Sequence, residues 1–335
     1  MQKVVIVGAG FMGETHGSAY KMIENAKVVA VVDGVEAKGK KLASEFGAKY
    51  YDDFDKLLES EDFDILDICT PTGTHPTLVK KAAEAKKNIL CEKPLALSVE
   101  KADQMIADVE KNNVAAMVGQ TLRFWPEYVN VKKLIDSGKY GNPLHATCAR
   151  LCVPPDWYEG KWGYSEENSG GAVLDLSIHD LDYLLWIFGE PAFLKAQGIF
   201  NPALGGLSHV ATSIEFKNGG SGVAEGGWNF MGEFPFTMLL RVICETAVID
   251  WDFRAGKNIE QRDKVESVTI YEESGHTYKL ESEQKDPYYL ECKYFVDCLD
   301  KNLPIERASF TDGRNAVKVA LAARESAKTR KIIEF

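Results

Sequence analysis

The stretch Val4-Val5-Ile6-Val7-Gly8-Ala9-Gly10-Phe11-Met12-Gly13 decides the fold of the first half of this chain. Four consecutive β-branched apolar residues predict a strand that is buried on both faces, as in a parallel sheet. The glycines that follow have the spacing GxGxxG, and the next residues, Glu14-Thr15-His16, contain no helix breaker. The pattern therefore predicts a strand, a tight turn and a helix.

Each glycine of such a turn has its own task. Gly8 permits the turn, Gly10 lets the backbone approach a pyrophosphate, and Gly13 lets the helix pack close to the strand. Phe11 and Met12 open the helix, whose N-terminus favours an anion. The alternative is a glycine turn without a ligand, but the flanking strand and helix favour a dinucleotide site.

An acidic residue follows the turn at the distance that a dinucleotide site requires, about 20 residues after the last glycine. Asp33 ends the apolar run Val28-Val29-Ala30-Val31-Val32. A carboxylate there can accept hydrogen bonds from both hydroxyls of an adenosine ribose, and it repels a 2′-phosphate. Gly34 and Val35 supply no cation for such a phosphate, so the sequence favours NAD over NADP.

The composition excludes several classes of protein. A length of 335 residues predicts two domains or one large one, and a net charge of −11 argues against nucleic acid or an anionic membrane as a partner. No apolar run approaches the roughly 20 residues of a spanning helix, and the first residues already form a strand rather than a signal peptide. Seven cysteines without a CxxC pair predict reduced core thiols in a cytoplasmic protein, with no metal site.

The rest of the first half alternates strands and helices. This alternation predicts a doubly wound, Rossmann-type parallel sheet with helices on both faces, over residues 1–122. The predicted elements after the turn are helix 14–23, strand 28–32, helix 38–46, helix 57–61, strand 63–69, helix 77–85, strand 88–91, helix 99–111 and strand 115–119.

Several polar residues follow the strands of this sheet, at the carboxyl edge where doubly wound folds bind ligands. The candidates for contact with the cofactor at this edge are Thr70, Pro71, Thr72, His75, Glu92, Lys93 and Gln120. A lone histidine is more often structural, which leaves His75 open and makes His16 a weaker candidate. Lys93 ends a buried strand directly before a proline, so a functional role is favoured over that of a surface lysine.

The second half changes character, because strands follow one another without intervening helices. Such a series predicts a mostly antiparallel open sheet in a separate α+β domain, over residues 123–335. A linker and helix come first (123–137), and two amphipathic helices end the chain (288–301 and 311–328). The predicted strands are 144–153, 193–199, 210–216, 222–228, 236–243, 246–251, 265–271 and 276–280.

A predicted helix starting near Gly171 carries the chemistry. Asp175, His179 and Asp182 have the spacing i, i+4 and i+7 and share one face, whereas Asp180 points elsewhere. A carboxylate one turn from an imidazole can orient the ring and raise its basicity, as a general base requires. The alternative is an ordinary buried histidine near a helix carboxylate; the cofactor turn and Lys93 favour catalysis.

An aromatic loop precedes this helix. Residues 153–164 contain prolines, glycines and aromatic residues without periodicity, and Trp157 and Trp162 are candidates for stacking on a sugar ring. A loop that aromatic side chains simply hold in place is an equally good interpretation.

Together these motifs resemble the glucose–fructose oxidoreductase/inositol dehydrogenase family (Gfo/Idh/MocA), over essentially the whole chain. Ser177 departs from the family pattern, where a glycine is common. The matching features are Gly8 to Gly13, Thr70-Pro71 with His75, Glu92-Lys93-Pro94, Arg123-Phe124, Gly138 with Gly141 and Pro143, the stretch Gly170 to Asp182, and Pro287, Phe295, Pro304 and Ser326 near the end.

The resemblance implies an NAD-dependent oxidation of a secondary alcohol in a sugar, inositol or related polyol. His179 would accept the hydroxyl proton, Asp175 would orient it, Lys93 would hydrogen-bond the reacting oxygen, and Arg123 would contact the substrate. It also implies a homodimer or homotetramer formed through the second sheet. Two alternatives stay open: glycoside cleavage through transient oxidation on bound NAD, and a non-catalytic dinucleotide sensor.

Overall fold

The chain folds into two compact units. The computed structural model describes residues 1–155, 163–256 and 267–335. The first unit contains Met1–Phe124 and Lys285–Arg314, and the second contains Trp125–Gln284 and Asn315–Phe335. The sequence divides the chain once, after residue 122; the structure in addition groups Lys285–Arg314 with the N-terminal unit, because the helix in this segment packs against the helix of the glycine turn.

The first unit is built on a parallel sheet. Among the described residues this sheet has six strands: β1 (Gln2–Val7), β2 (Ala26–Val32), β3 (Lys49–Tyr51), β4 (Ile65–Ile68), β5 (Asn88–Glu92) and β6 (Ala116–Gly119). Their order is β3-β2-β1-β4-β5-β6, and every pair is parallel. The predicted Rossmann-type sheet is confirmed. Strand order reverses between β1 and β4, which is the point where such sheets bind their ligands.

Helices follow the strands at the places where local residues start and stop them. In chain order they are α1 (Phe11–Lys21), α2 (Glu36–Phe46), α3 (Phe54–Ser60), α4 (His75–Glu84), α5 (Val99–Asn112), α6 (Pro126–Asp136), α7 (Glu166–Ser169), α8 (Ile178–Phe188), α9 (Pro287–Asp300) and α10 (Phe310–Thr329). Gly47 ends α2 in the left-handed conformation, and the Ser98 hydroxyl caps α5 by accepting the N–H of Lys101. The Asp286 carboxylate caps α9 in the same way, with Pro287 at its first position.

The second unit is built on a larger sheet, which the described residues form with nine strands. They are β7 (Pro143–Leu151), β8 (Pro191–Asn201), β9 (Gly206–Phe216), β10 (Ser221–Gly227), β11 (Thr237–Cys244), β12 (Ala247–Arg254), β13 (Val268–Glu272), β14 (Thr277–Leu280) and β15 (Ile333–Glu334). The order is β14-β13-β12-β11-β7-β10-β9-β8-β15. In the described part of the chain β7 and β10 pair in parallel and the remaining pairs are antiparallel, so the mostly antiparallel sheet is also confirmed.

One face of this sheet packs against α8 with the help of glycines. A Cβ at Gly226 in β10 would lie 2.6 Å from the Cβ of Ser177, and one at Gly222 would lie 2.9 Å from Leu184. Bare backbone on the strand thus lets the helix approach the sheet.

A buried ion pair joins the same helix to the sheet. Arg150 of β7 donates from Nε to Asp180 Oδ2 at 3.1 Å and from Nη2 to Oδ1 at 3.4 Å, and both side chains are buried. Burial raises the pKa of Asp180, and the guanidinium counteracts this shift. The pair explains why Asp180 points away from the predicted catalytic face.

No helix among the described residues is long and apolar enough to cross a membrane. All seven cysteines lie in the described part of the chain as free thiols. Burial raises the pKa of Cys152 to about 12 and that of Cys244 to about 11, so neither thiol is a reactive thiolate.

Breaking the Arg150–Asp180 pair on one side should destabilise the second unit. We expect Arg150→Met to lower the free energy of unfolding by about 3–5 kcal/mol, because it leaves a buried carboxylate without its counter-charge. Urea unfolding followed by tryptophan fluorescence measures the change. The charge-free pair Arg150→Met/Asp180→Leu should recover most of the loss; an equal loss in both proteins would contradict this account.

Candidate active site

The three glycines of the opening turn are placed as their predicted tasks require. Gly8 has a φ of +104°, and a Cβ there would lie 2.6 Å from the carbonyl oxygen of Cys69, at the end of β4. A Cβ at Gly13 would lie 2.0 Å from the carbonyl oxygen of Gly8. At Gly10, by contrast, a Cβ meets nothing within 4 Å. The turn is tight where helix and strands meet and open where a ligand would approach.

The N-terminus of α1 presents backbone donors at this open side. The N–H of Glu14 bonds to the carbonyl of Gly10 at 3.0 Å, so the N–H groups of Phe11, Met12 and Gly13 precede the first helical hydrogen bond. Gly10 has no side chain that could cap them. N–H groups that precede the first helical hydrogen bond, together with the helix dipole, can bind the phosphates of a dinucleotide.

Asp33 is held at the end of β2 by the turn itself. Its Oδ2 accepts the N–H of Ala9 at 2.7 Å, and its Oδ1 accepts the N–H of Val35 at 2.7 Å. A carboxylate oxygen has two lone pairs, so each oxygen can still accept one ribose hydroxyl. The fixed negative charge beside the turn is consistent with the predicted preference for NAD.

The loop after β4 is fixed by His75. Its buried ring lies with Nε2 2.9 Å from the carbonyl oxygen of Thr70 and Nδ1 3.3 Å from that of Leu95. Burial lowers the pKa of His75. The Thr70 hydroxyl lies 2.6 Å from that of Thr74, Thr72 is buried, and Pro71 is exposed. His75 thus joins the loops after β4 and β5; its contact with a cofactor stays a prediction.

Lys93 follows β5 at the same edge of the sheet. Its backbone N–H donates to Oε2 of Glu92 at 3.0 Å. Glu92 is buried, and a Cβ at Gly119 of the neighbouring strand β6 would lie 2.8 Å from Glu92 Oε1, so a glycine makes room for this carboxylate. Gln120, directly after β6, is also buried.

Arg123 has an internal partner in the first unit. Its guanidinium Nη1 lies 3.2 Å from Asp312 Oδ1, and 5% of its side chain is exposed. Its carbonyl oxygen accepts a hydrogen bond from Arg307 at 3.4 Å. This ion pair gives Arg123 a structural role; its predicted contact with substrate stays a prediction.

The helix with the predicted base begins differently from expectation. Val173–Ser177 forms a π-helical turn, and α8 continues from Ile178. Asp175 lies in this turn and is partly exposed, whereas His179 in α8 is 9% exposed. π-helical turns are rare in proteins, and those that occur are often found at functional sites. Sequence periodicity does not reveal them, because it assumes a constant rotation per residue.

The third member of the predicted face behaves differently. Asp182, in α8, is fully buried, whereas Asp175, in the π-helical turn, is partly exposed. Trp157 and Trp162 lie outside the described residues.

His16, the weaker of the two histidine candidates in the sequence, belongs to a buried polar cluster that the sequence motifs do not indicate. Its ring is fully buried, and Nδ1 lies 2.9 and 3.1 Å from the two oxygens of Asp67 in β4. Glu92 and the buried Glu291 of α9 lie beside it. An acid inside the otherwise apolar strand Ile65–Ile68 is the feature that could have indicated a buried partner.

Two family models match the chain. The model described as "Oxidoreductase family, NAD-binding Rossmann fold" (GFO_IDH_MocA) matches residues 2–120. The model described as "GFO/IDH/MocA C-terminal domain" matches residues 128–250. Together they cover most of the chain.

Curated relatives and solved structures agree with these matches. The chain is 27% identical over 347 residues to myo-inositol 2-dehydrogenase of Thermotoga maritima, covering 99% of this chain and 98% of the relative. It is 28% identical over 339 residues to scyllo-inositol 2-dehydrogenase (NAD(+)) of Bacillus subtilis, covering 97% and 93%. Levoglucosan dehydrogenase in complex with NADH and L-sorbose shares the fold with a TM-score of 0.88 at 22% identity, covering 100% and 99%.

Two single methyl groups in the turn should separate cofactor binding from folding. We expect Gly10→Ala to keep the melting temperature of the wild type while weakening NAD binding by about 10-fold or more, because its Cβ enters the space where the pyrophosphate approaches. Gly13→Ala should lower both the melting temperature and the NAD affinity, because its Cβ collides with the Gly8 carbonyl. Calorimetric NAD titration and thermal melts measure the two effects. Ser274→Ala, in an exposed turn of the second unit, is the control, and unchanged NAD affinity in Gly10→Ala would rule out the assigned site.

Proposed function

Because this chain belongs to the Gfo/Idh/MocA family of NAD-binding oxidoreductases, we propose that it oxidises a secondary alcohol of a sugar, inositol or related polyol. The proposal rests on the arrangement of residues at the carboxyl edge of the parallel sheet. There the glycine turn after β1, the loop after β4 and Lys93 after β5 follow neighbouring strands. A dinucleotide site and a cationic side chain thus share one sheet edge.

The residues at this edge fit NAD. The N–H groups at the start of α1 would hold the pyrophosphate, and the space at Gly10 admits it. The Asp33 carboxylate would hold the adenosine ribose and disfavour the 2′-phosphate of NADP. When bound, NAD supplies the nicotinamide that takes up the hydride from the alcohol carbon.

Three residues of the chain would accept the hydroxyl proton and stabilise the negative charge on the reacting oxygen. We assign to His179 the role of general base, which takes the hydroxyl proton at an imidazole nitrogen, and to Asp175 the role of orienting its ring. Lys93 would donate a hydrogen bond to the same oxygen and stabilise the negative charge that develops on it. These roles come from the sequence resemblance.

The substrate class rests on the relatives. Two curated relatives that align along nearly the whole chain carry the names of inositol 2-dehydrogenases. At 27–28% identity this supports a cyclic polyol or sugar, and the particular compound is a matter for a substrate screen.

Variants of the proposed catalytic residues test the function. We expect Lys93→Met and His179→Gln each to lower turnover by about 10²-fold or more, because each removes a group that acts on the reacting hydroxyl, while NAD affinity changes little. Turnover is followed as NADH absorbance in a screen of inositols and sugars with NAD and with NADP. Ser274→Ala, in an exposed hairpin, is the control. Normal turnover of a confirmed substrate by both variants would falsify the assignment.

The same screen separates the two other classes of function. A glycosidase that oxidises its substrate transiently would retain NAD, cleave a glycosidic bond and release no net NADH. A dinucleotide sensor would bind NAD without any turnover. The presence of both Lys93 and His179 argues against a sensor.

We further propose that the chain forms a homodimer or homotetramer through the open face of the second sheet. Along β10 the residues Gly222, Ala224 and Gly226 are buried, and Ser221, Val223 and Glu225 alternate with them and are partly exposed. Val223 lies in the middle of the sheet, opposite Thr147 of β7 and Ser213 of β9. A broad face that mixes small, polar and apolar side chains is suited to association with a second copy.

A charge at the centre of this face should prevent association. We expect Val223→Glu to reduce the molar mass measured by light scattering to that of a single chain, because it places a charge where the copies would meet. Ser274→Glu adds the same charge in the hairpin between β13 and β14 and should leave the mass unchanged. A monomeric wild type, or an unaffected mass in Val223→Glu, would refute the proposed interface.

The cysteines support a cytoplasmic location, which we propose as well. Seven free thiols suit a reducing compartment. Fractionation of cells that express the chain tests it.

A further inference from the structure

A buried ionic cluster in the first unit connects α1, the helix of the glycine turn, to β5, the strand directly before Lys93. His16, in the second turn of α1, lies with Nδ1 2.9 Å from Asp67 Oδ2. Its Nε2 lies 3.2 Å from Glu92 Oε1, which is an ion-pair distance without hydrogen-bond geometry. The other oxygen of Glu92, Oε2, accepts the backbone N–H of Lys93 at 3.0 Å. The contacts form a continuous series from Asp67 through His16 and Glu92 to Lys93.

The fourth member of the cluster is Glu291 of α9. It is fully buried, and neither of its carboxyl oxygens has a hydrogen-bond partner among the described residues. One of these oxygens lies within 4.8 Å of His16 and Glu92 ligand atoms. Burial raises the pKa of Glu291 well above its usual range, and the negative charge of Glu92 adds to the shift. A neutral Glu291 leaves Asp67 and Glu92 as the two carboxylates that His16 must balance.

The charge of His16 follows from its neighbours. Burial by itself lowers the pKa of His16, but the charge of Asp67, the neighbouring Cys69 and Cys292 and the hydrogen bond to Asp67 together outweigh it, so the pKa is raised well above the usual value. An imidazolium carries an N–H at both ring nitrogens, whereas neutral imidazole carries one. The protonated ring therefore has a hydrogen bond to Asp67 at Nδ1 and carries a second, positively charged N–H at Nε2, 3.2 Å from Glu92 Oε1.

We propose that His16 is a positioning residue for Lys93. The imidazolium holds the Glu92 carboxylate in the orientation in which it accepts the Lys93 N–H, and this fixes the backbone from which the lysine side chain extends. Without the cation, Asp67 and Glu92 would face each other as like charges in a medium of low dielectric, and Glu92 would turn away. The inference rests on the function proposed above for Lys93.

The same atoms suggest a second account. His16, Glu92 and Glu291 are residue types that bind zinc or manganese, and Asp67 on Nδ1 resembles the outer partner of a metal-binding histidine. The distance of 3.2 Å between His16 Nε2 and Glu92 Oε1 is short enough for a direct electrostatic contact, although Nε2 has no hydrogen-bond partner among the described residues. We therefore argue for positioning and make the metal an outcome of the test.

A double-mutant cycle between His16 and Glu92 tests the coupling. We expect His16→Gln to lower kcat by about 10-fold, with the KM for NAD changed less than about 3-fold, because the cofactor turn itself stays intact. Glu92→Gln should have a similar effect. The double variant should be no worse than the more damaging single variant, since both act through one series of contacts. If the two losses of kcat multiplied in the double variant, the proposal would be overturned.

A readout that needs no substrate separates this inference from the proposed function. In protein labelled with ¹³C at lysine Cε, the Lys93 signal is identified by its loss in Lys93→Arg. His16→Gln should shift this signal. Leu57→Ala, which opens a cavity in the core of the same unit, should not, even if it lowers the melting temperature as much. If no polyol is oxidised, the proposed function fails while the Lys93 signal still decides on positioning.

Two further results complete the test. Where His16→Gln alone does not fold, the measurement uses the double variant His16→Gln/Glu92→Gln, which removes one positive and one negative charge. An unshifted Lys93 signal in the double variant would contradict positioning. Elemental analysis after dialysis against zinc and manganese should find no stoichiometric metal. One metal per chain, lost in Glu291→Gln, would replace the ion pair with a metal site.

Discussion

Helix α1 and strand β1 approach each other so closely that one methyl group at Gly13 would lie 2.0 Å from the Gly8 carbonyl oxygen. This approach brings the first N–H groups of the helix to the carboxyl edge of the sheet, where they can meet phosphate. It also sets the position of His16 one turn further on, beside Asp67 of β4 and Glu92 of β5. One backbone contact thus fixes both the anion site and the ionic cluster next to Lys93.

The sequence predicts the structural features that depend on interactions between residues close together in the chain. Strand β1, the glycine turn, Asp33, the left-handed Gly47 and the Ser98 cap each depend on a few neighbouring residues. The alternation of strands with helices extended the prediction to the parallel sheet, and the series of strands without helices extended it to the second sheet. The contacts that define the surroundings of the candidate residues depend instead on residues far apart in the chain. His16 is the clearest case, because its partners lie in β4, β5 and α9, and no spacing rule connects these segments.

Contacts between distant residues also explain why two residues predicted to bind ligands have partners within the protein. Arg123 pairs with Asp312, and the His75 ring bridges the carbonyls of Thr70 and Leu95. A polar residue beside a predicted site is a candidate for binding in the sequence alone, since the sequence does not show whether the fold already supplies its partner. Burial of these two side chains follows from tertiary packing, which motif spacing does not encode.

Each unit places a buried ion pair beside the residue proposed to act on the substrate. Glu92, paired with His16, precedes Lys93 in the first unit, and Asp180, paired with Arg150, follows His179 in the second. Such pairs contribute little net stability, because desolvation offsets their attraction, but removing one partner is costly. For Glu92 the proposed effect is therefore on geometry, since the contact with His16 would restrict the backbone segment that carries Lys93.

The second unit uses the same structural device as the first to bring its helix close. Gly226 of β10 leaves room for Ser177, the last residue of the π-helical turn, as Gly8 and Gly13 leave room for each other. A side chain at Gly226 would push this turn from the sheet, and Asp175 within the turn would move with it. The direction of Asp175 is therefore set by a glycine on a strand about 50 residues away in sequence. Ser177, the one departure from the family pattern, lies at this contact, where its side chain packs on bare backbone.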